Sequence, residues 1–97
     1  MQYTIIAKDY KDEDAINRRL KVREDHITLG KKLKSEGNAL YAAALLDEEE
    51  NMNGSVYIVD FSSKKELDDW LRIEPYMVGR VWEKVEIIPC KVSASYL

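Results

Sequence analysis

The chain alternates short apolar runs with stretches whose apolar residues recur at helical spacing. Residues 2–8 hold aromatic and β-branched side chains in a short run, which predicts a first strand. Residues 40–46 and 55–61 are rich in apolar residues and predict two more strands; alanine also suits a helix, but the short length of 40–46 favours a strand. Residues 81–92 predict the last strand, and Pro89 near its end indicates the edge of a sheet.

Two helices are predicted between these strands. The first covers about residues 14–36, begins after an aspartate that can accept from the free N–H groups of its first turn, and stops at Gly37. The second follows a capping-box sequence, Ser-Lys-Lys-Glu at 63–66, and reaches about Ile73, where Pro75 ends it. The resulting order, βαββαβ, predicts a four-stranded antiparallel sheet with both helices on one face, which is the ferredoxin-like α+β fold.

Both faces of the predicted sheet are apolar. Within residues 40–46, each of the two alternating sets of side chains consists of apolar residues, and in residues 55–61 Val56 and Ile58 oppose Tyr57 and Val59. A sheet with one wet face would alternate apolar and polar residues. Since two helices cover only one face, we expect a second copy of the chain to cover the other, giving a homodimer through the sheet face. The alternative is that the alanines merely tolerate water, because exposed apolar residues are common.

Composition narrows the partners and the setting. The 97 residues predict one domain covering 1–97, and a formal net charge of −3 argues against a nucleic-acid partner, which usually meets a basic patch. One cysteine and one histidine provide no zinc-type ligand spacing, and no cofactor motif is present. No apolar run approaches the length of a membrane span, and the first residues lack the regions of a signal peptide. We therefore expect a cytoplasmic protein with no cofactor, metal or membrane partner.

A polar row lies along the first helix between two apolar flanks. At about 100° per residue, the row consists of Arg19, Arg23, His26 and Gly30. The flanks are Ile16, Leu20 and Ile27 on one side and Ala15, Val22, Leu29 and Leu33 on the other. Because burying cations without partners is costly, either the row lines a cavity that holds an anion or polar substrate, or the helix projects past the sheet and both arginines reach solvent. The pattern leaves both interpretations open.

His26 is the candidate proton-transfer residue, because histidine is the side chain that most readily changes charge near neutral pH. A carboxylate partner would make it a general base or acid, but 18 acidic residues leave that partner open. Ser55 follows a glycine where a strand begins, and nothing marks a base beside it. We expect it to contact substrate rather than to act as a nucleophile. Tyr76 and Trp82 flank the proposed pocket in sequence, although aromatic residues in a small protein are more often part of the core.

Three motifs, in this order and spacing, resemble the YciI-like (YCII-related) family. They are Arg-Glu-Asp-His-Ile at 23–27, Glu-Pro-Tyr at 74–76 and Val-Glu-Ile-Ile-Pro at 85–89. The resemblance spans nearly the whole chain and implies a dimeric α/β barrel of ferredoxin-like subunits. The family's suspected active site pairs a helix histidine with the aspartate of an Asp-Pro-aromatic motif. Carried over, the histidine is His26, the aromatic residue is Tyr76, and Glu74 stands where the family has aspartate, a change that could shift the carboxylate by about 1 Å.

Together these residues predict a small cofactor-free enzyme of lyase or isomerase type. His26 would move a proton and Glu74 would orient or assist it. Arg19 and Arg23 would bind a small anionic organic substrate, because guanidinium groups bind carboxylates in a forked geometry. A related branch of the resembling family eliminates chloride from a muconolactone-type substrate, so the resemblance implies small organic acids as ligands. Two alternatives stay open: a non-catalytic binding or regulatory dimer module with the same pocket, and a dimerisation domain whose pocket has lost its role.

Overall fold

The computed structural model describes residues 1–97, and its elements confirm the predicted ferredoxin-like order. All strand pairs are antiparallel, and the strand order across the sheet is β2-β3-β1-β4. No helix is long and apolar enough to cross a membrane. The elements are β1 (Gln2–Asp9), α1 (Ala15–Ser35), β2 (Ala39–Leu46), β3 (Met52–Asp60), α2 (Lys64–Ile73), α3 (Pro75–Val78), β4 (Trp82–Cys90) and a 3-10 turn at Ala94–Tyr96.

The loop between β2 and β3 is shorter than the sequence predicts. Strand β3 begins at Met52, whereas the apolar run placed its start at residue 55. The carboxylate of Asp47 accepts from the backbone N–H groups of Glu49 and Asn51, both at 2.9 Å, and so closes a tight turn. The predicted hairpin between β2 and β3 therefore turns within residues 47–51.

A short helix, α3, is absent from the prediction. Pro75 was expected only to end the second helix, and α2 does end before it, at Ile73. The carboxylate of Glu74 then accepts from the N–H of Tyr76 at 3.2 Å. Pro75 occupies the first turn of α3, where a backbone N–H has no acceptor within the helix, so the N–H that proline lacks is not needed there. The new turn buries both Glu74 and Tyr76.

The core lies between the sheet and the helices. It is formed by one face of the central strands, with Ile5 and Val59 fully buried, and by Leu67 and Trp70 of α2. The opposite face of the sheet is uncovered, and Tyr41 and Ile88 on that face are exposed. Both helices therefore pack on one face, as predicted.

Only one flank of α1 packs into this core. Leu33 is buried, and Val22 and Leu29 pack against the core cluster. On the other flank Leu20 is 55% exposed and Ile16 is 37% exposed, so these residues do not pack into the core. This second flank borders the alanines of β2, whose small side chains leave space below α1.

The turn after α3 is fixed by close packing around Gly79. A Cβ atom at Gly79 would lie 2.8 Å from the carbonyl oxygen of Pro75 and 3.2 Å from a methyl group of Val22. A backbone oxygen at that distance cannot move aside without shifting α3. We expect Gly79→Ala to lower the free energy of unfolding by about 1–3 kcal/mol, measured by urea denaturation.

Gly30 in α1 provides the matched control for Gly79. A Cβ atom there would meet only the Tyr57 hydroxyl, at 3.4 Å. Gly30→Ala should raise stability by about 0.5–1 kcal/mol, because alanine is the better helix former. Equal effects of the two substitutions would contradict the packing described for Gly79.

Candidate active site

A cleft of about 170 Å³ opens between α1, strands β2 and β3, and the ring of Tyr76. Its floor includes the alanines of β2, and its walls carry polar side chains from α1 and β3. Five of the six predicted site residues line this one cleft: Arg19, Arg23, His26, Ser55 and Tyr76. The sixth, Glu74, lies behind the ring of His26.

His26 and Glu74 form a hydrogen-bonded pair through Nδ1 and Oε1. The side chain of Glu74 is completely buried, whereas that of His26 is 13% exposed. Oε1 also accepts from the N–H of Tyr76, and we infer that it accepts from Nδ1 of His26 as well. In the neutral ring the proton then lies on Nδ1, and Nε2 is unprotonated. The arrangement suits a base held in one orientation by a carboxylate.

Three aromatic rings hold the imidazole of His26 in place. Tyr76 stacks on it with ring centres 3.7 Å apart and an 8° angle between the planes. Tyr57 and Trp82 present their edges at 6.0 and 6.1 Å. This packing restricts the rotation of the ring, so Nε2 keeps a fixed position relative to the cleft.

Tyr57 is a site residue that the sequence did not reveal. Its hydroxyl oxygen lies 3.4 Å from His26 Nε2. Burial, reinforced by the negative charge of Glu74, raises the pKa of Tyr57, so its hydroxyl stays protonated and can donate a hydrogen bond. One signal was available: Tyr57 follows Ser55 by two residues on a strand, so both side chains leave the same face of the sheet.

Arg19 is almost completely buried, and both of its terminal nitrogens have partners within the protein, whereas Nε has none. Nη1 donates to both carboxylate oxygens of Asp9 at 2.9 and 2.8 Å, and Nη2 donates to the Gly54 carbonyl and the Ser55 hydroxyl at 3.0 and 3.1 Å. The guanidinium also lies over the Tyr76 ring, 4.7 Å from its centre. Arg19 therefore joins the ends of β1 and β3 beside the cleft through its hydrogen bonds to Asp9, Gly54 and Ser55.

Asp9 and Ser55 complete this buried network. Asp9 lies one residue beyond the predicted first strand, but it is the last residue of β1 and faces the core. Burial raises the pKa of Asp9, and the hydrogen bonds and charge of Arg19 oppose that rise. The Ser55 hydroxyl oxygen accepts from Arg19 and from the indole N–H of Trp82 at 3.2 Å. With both lone pairs engaged, the hydroxyl of Ser55 has only its hydrogen left to offer to a ligand.

Arg23 is the cation of the polar row that is left free. It is exposed, lines the cleft and has no carboxylate within ion-pair distance. Burial raises the pKa of Tyr76 as well, and the positive charges of Arg19 and Arg23 oppose that rise. Both arginines line the cleft, as the first interpretation of the row expects, but Arg19 is buried and paired with Asp9 whereas Arg23 is exposed. No group of three or more metal-binding side chains lies together.

Comparison with known sequences identifies one domain and its relatives. A model of the YCII-related domain matches residues 1–91. The chain is 33% identical to an uncharacterised protein of Haemophilus influenzae and 31% identical to the protein YciI of Escherichia coli. Each alignment covers 94% of this chain and 97% of the relative.

Comparison with solved structures shows the same fold. With a TM-score of 0.80 and 18% identity, the chain resembles 5-chloro-2-hydroxyhydroquinone dehydrochlorinase of Burkholderia phenoliruptrix in complex with 2,5-dihydroxybenzoquinone, over 94% of each chain. A dimeric ferredoxin-like protein of unknown function from Jannaschia gives a TM-score of 0.54 at 15% identity, over 94% of this chain and 98% of that one.

Proposed function

The chain belongs to the YCII-related domain family, and from this premise we propose that it is a small enzyme that transfers a proton on a small organic acid. The observation that carries the proposal is the orientation of His26. Its Nδ1 is bound to the buried carboxylate of Glu74, and its Nε2 is on the side of the Tyr57 hydroxyl, which lines the cleft. Proton abstraction requires a base that is oriented by a carboxylate at one nitrogen and faces the cleft with the other.

The chemistry follows from the charges around the cleft. Arg23 binds a carboxylate of the substrate, and His26 Nε2 takes a proton from an adjacent carbon. Glu74 stabilises the imidazolium that forms. The electron pair released from the C–H bond forms a carbon–carbon double bond. In an elimination the next carbon loses its leaving group as an anion. In an isomerisation the substrate already has a double bond at that next carbon, and the electron pair of this bond moves to its far carbon, which takes the proton back from the imidazolium.

The dehydrochlorinase with the same fold supports the elimination form of this reaction. As a 5-chloro-2-hydroxyhydroquinone dehydrochlorinase, that protein acts on a small chlorinated and hydroxylated ring. Elimination needs a base next to a C–H bond and a site for a small anion or polar ring. His26 and Arg23 provide the corresponding groups in this chain. Elimination is therefore the reaction type to test first.

A screen of small organic acids tests the proposal. Each acid is incubated with the protein in D₂O, and proton NMR follows deuterium incorporation and product formation. The wild type should act on at least one acid, and His26→Gln and Glu74→Ala should lower that activity, whereas Thr28→Ala on the exposed side of α1 should not. Saturable binding of an acid with no exchange or turnover in the wild type would favour the non-catalytic binding module.

We also propose that two copies pack through the uncovered face of the sheet. Tyr41 is 61% exposed and Ile88 is 41% exposed on that face, which carries an apolar surface that the helices leave open. A solved structure with this fold is described as dimeric. An apolar surface of this kind is stabilised when a second identical surface removes it from water.

Ile58 on this face provides the test of the dimer. The wild type should sediment at twice the mass of the 11.3 kDa chain, and Ile58→Asp should sediment as a monomer, because a charge buried at the interface is costly. Val78→Asp, on an exposed apolar residue of α3, is the matched control and should leave the dimer intact. A wild-type monomer at micromolar concentration, or a dimer in the Ile58→Asp variant, would count against the sheet-face interface.

A further inference from the structure

A second cavity continues the cleft along α1. It measures about 410 Å³ and, like the first, is lined by His26, Ile27, Ala42 and Tyr57. The two spaces therefore meet at the imidazole of His26. At this volume the second cavity is within the range of small-molecule sites. Since it lies beyond His26 as seen from Arg23, a ligand that reached into both would pass the imidazole midway.

The far end of the second cavity is positively charged. Lys31 and Lys34 both line it, and neither has a carboxylate within ion-pair distance. Between these lysines and His26 the lining is apolar or small, with Ile27 and Ala42 along the sides and Gly30 above. A side chain at Gly30 would project toward the Tyr57 hydroxyl and narrow the passage.

We propose that the ligand is an elongated dianion, with one anionic end at Arg23, the other at Lys31 and Lys34, and an apolar body across His26. This rests on the proposed function, because it assigns the substrate class of the same site. Residues 23, 27, 31 and 34 share one side of a helix, and eight residues of rise separate Arg23 from Lys31 by about 12 Å. A linear diacid of about six to eight carbons spans roughly 6–9 Å, which leaves room for a hydrogen bond at each end.

A monocarboxylate would use only half of this arrangement. It could pair with Arg23, but its other end would leave the two lysines solvated and without a partner. The second carboxylate of a diacid would gain charge-assisted hydrogen bonds there, each stronger than a neutral one. Discrimination between diacids and monoacids of equal length is therefore the property that the lysines should supply.

Titration calorimetry with suberate and octanoate tests this discrimination. The wild type should bind suberate about tenfold more tightly than octanoate, as expected for a gained charge-assisted interaction. In the double variant Lys31→Gln/Lys34→Gln the preference should fall to about twofold or less. The matched control is Lys21→Gln/Lys32→Gln, which removes two charges from the exposed side of α1 and should keep the preference.

The possible results separate this inference from the proposed function. Equal affinity for the two acids, equal losses in both double variants, or no saturable binding of either acid would overturn the dianion site. A lysine-dependent preference for suberate, with no deuterium incorporated into any acid of the screen, would support the dianion site and contradict the proposed enzymatic function. Deuterium incorporation into a monocarboxylate, at a rate that Lys31→Gln/Lys34→Gln leaves unchanged, would contradict the dianion site and support the proposed enzymatic function.

Discussion

His26→Gln should lower turnover of the acid identified in the screen by about 10²–10⁴-fold, the usual contribution of a positioned general base. Glutamine can still donate a hydrogen bond to the buried carboxylate of Glu74, so the replacement preserves the contact behind the ring. It cannot accept a proton at neutral pH, and this is the property that the mechanism requires. Initial rates at saturating and at low substrate concentration would show whether the loss falls mainly on kcat.

A further variant, Glu74→Gln, shows whether the loss belongs to proton transfer. Glu74→Gln keeps an acceptor for Nδ1–H but removes the negative charge that stabilises the imidazolium, so its rate should lie between those of the wild type and His26→Gln. Circular dichroism should show an unchanged fold in both. Wild-type turnover by folded His26→Gln would exclude His26 as the base.

Arg19→Met should lower the free energy of unfolding by about 3–5 kcal/mol, because it leaves the buried charge of Asp9 without a partner. Both side chains are almost completely buried, and two hydrogen bonds join them. The same substitution also leaves the Gly54 carbonyl and the Ser55 hydroxyl with one donor fewer. Urea denaturation at neutral pH measures the loss.

The pH dependence of this loss has a definite sign. Burial raises the pKa of Asp9 in the folded protein, and removing Arg19 takes away the contribution that opposes the rise. A raised carboxyl pKa means that the protonated form is the more stable one in the fold, so stability falls as pH rises through that value. The cost of Arg19→Met should therefore be largest at neutral pH and shrink in acid, as Asp9 takes up a proton.

A surface pair provides the comparison for Arg19. Arg18 and Asp12 are joined by hydrogen bonds of 2.7 and 2.8 Å, but both side chains are partly exposed to water. Solvent screens such a pair, so Arg18→Met should cost much less than Arg19→Met. Similar costs for the two substitutions would show that burial does not determine the energetics of the Arg19 network.

The fold was predictable from the chain because each element carries a local signal. Short apolar runs mark the strands, Gly37 marks the end of α1, and the capping box marks the start of α2. The short helix α3 was missed because a proline that ends one helix can also open the next. The start of α3 is set by the carboxylate of Glu74, which accepts a hydrogen bond from the backbone N–H of Tyr76.

The site was predictable in part. The spacing along α1 brought Arg19, Arg23 and His26 to one side of the helix, and the family resemblance supplied Glu74 and Tyr76. The pairing of Arg19 with Asp9 was not foreseen, because it joins the end of one strand to a helix and nothing local distinguishes Asp9 from the other aspartates. Helical periodicity places side chains on a face but cannot say which of two neighbouring arginines has a buried partner.

The most direct test of the central claim is the protonation of the His26 ring, and it needs no substrate. Because the chain has a single histidine, its two ring nitrogens can be observed without ambiguity by ¹⁵N NMR of protein labelled at histidine. The hydrogen bond to Glu74 predicts that the neutral ring carries its proton on Nδ1 and that Nε2 is unprotonated. A neutral ring with its proton on Nε2 would contradict the assignment of His26 as the base.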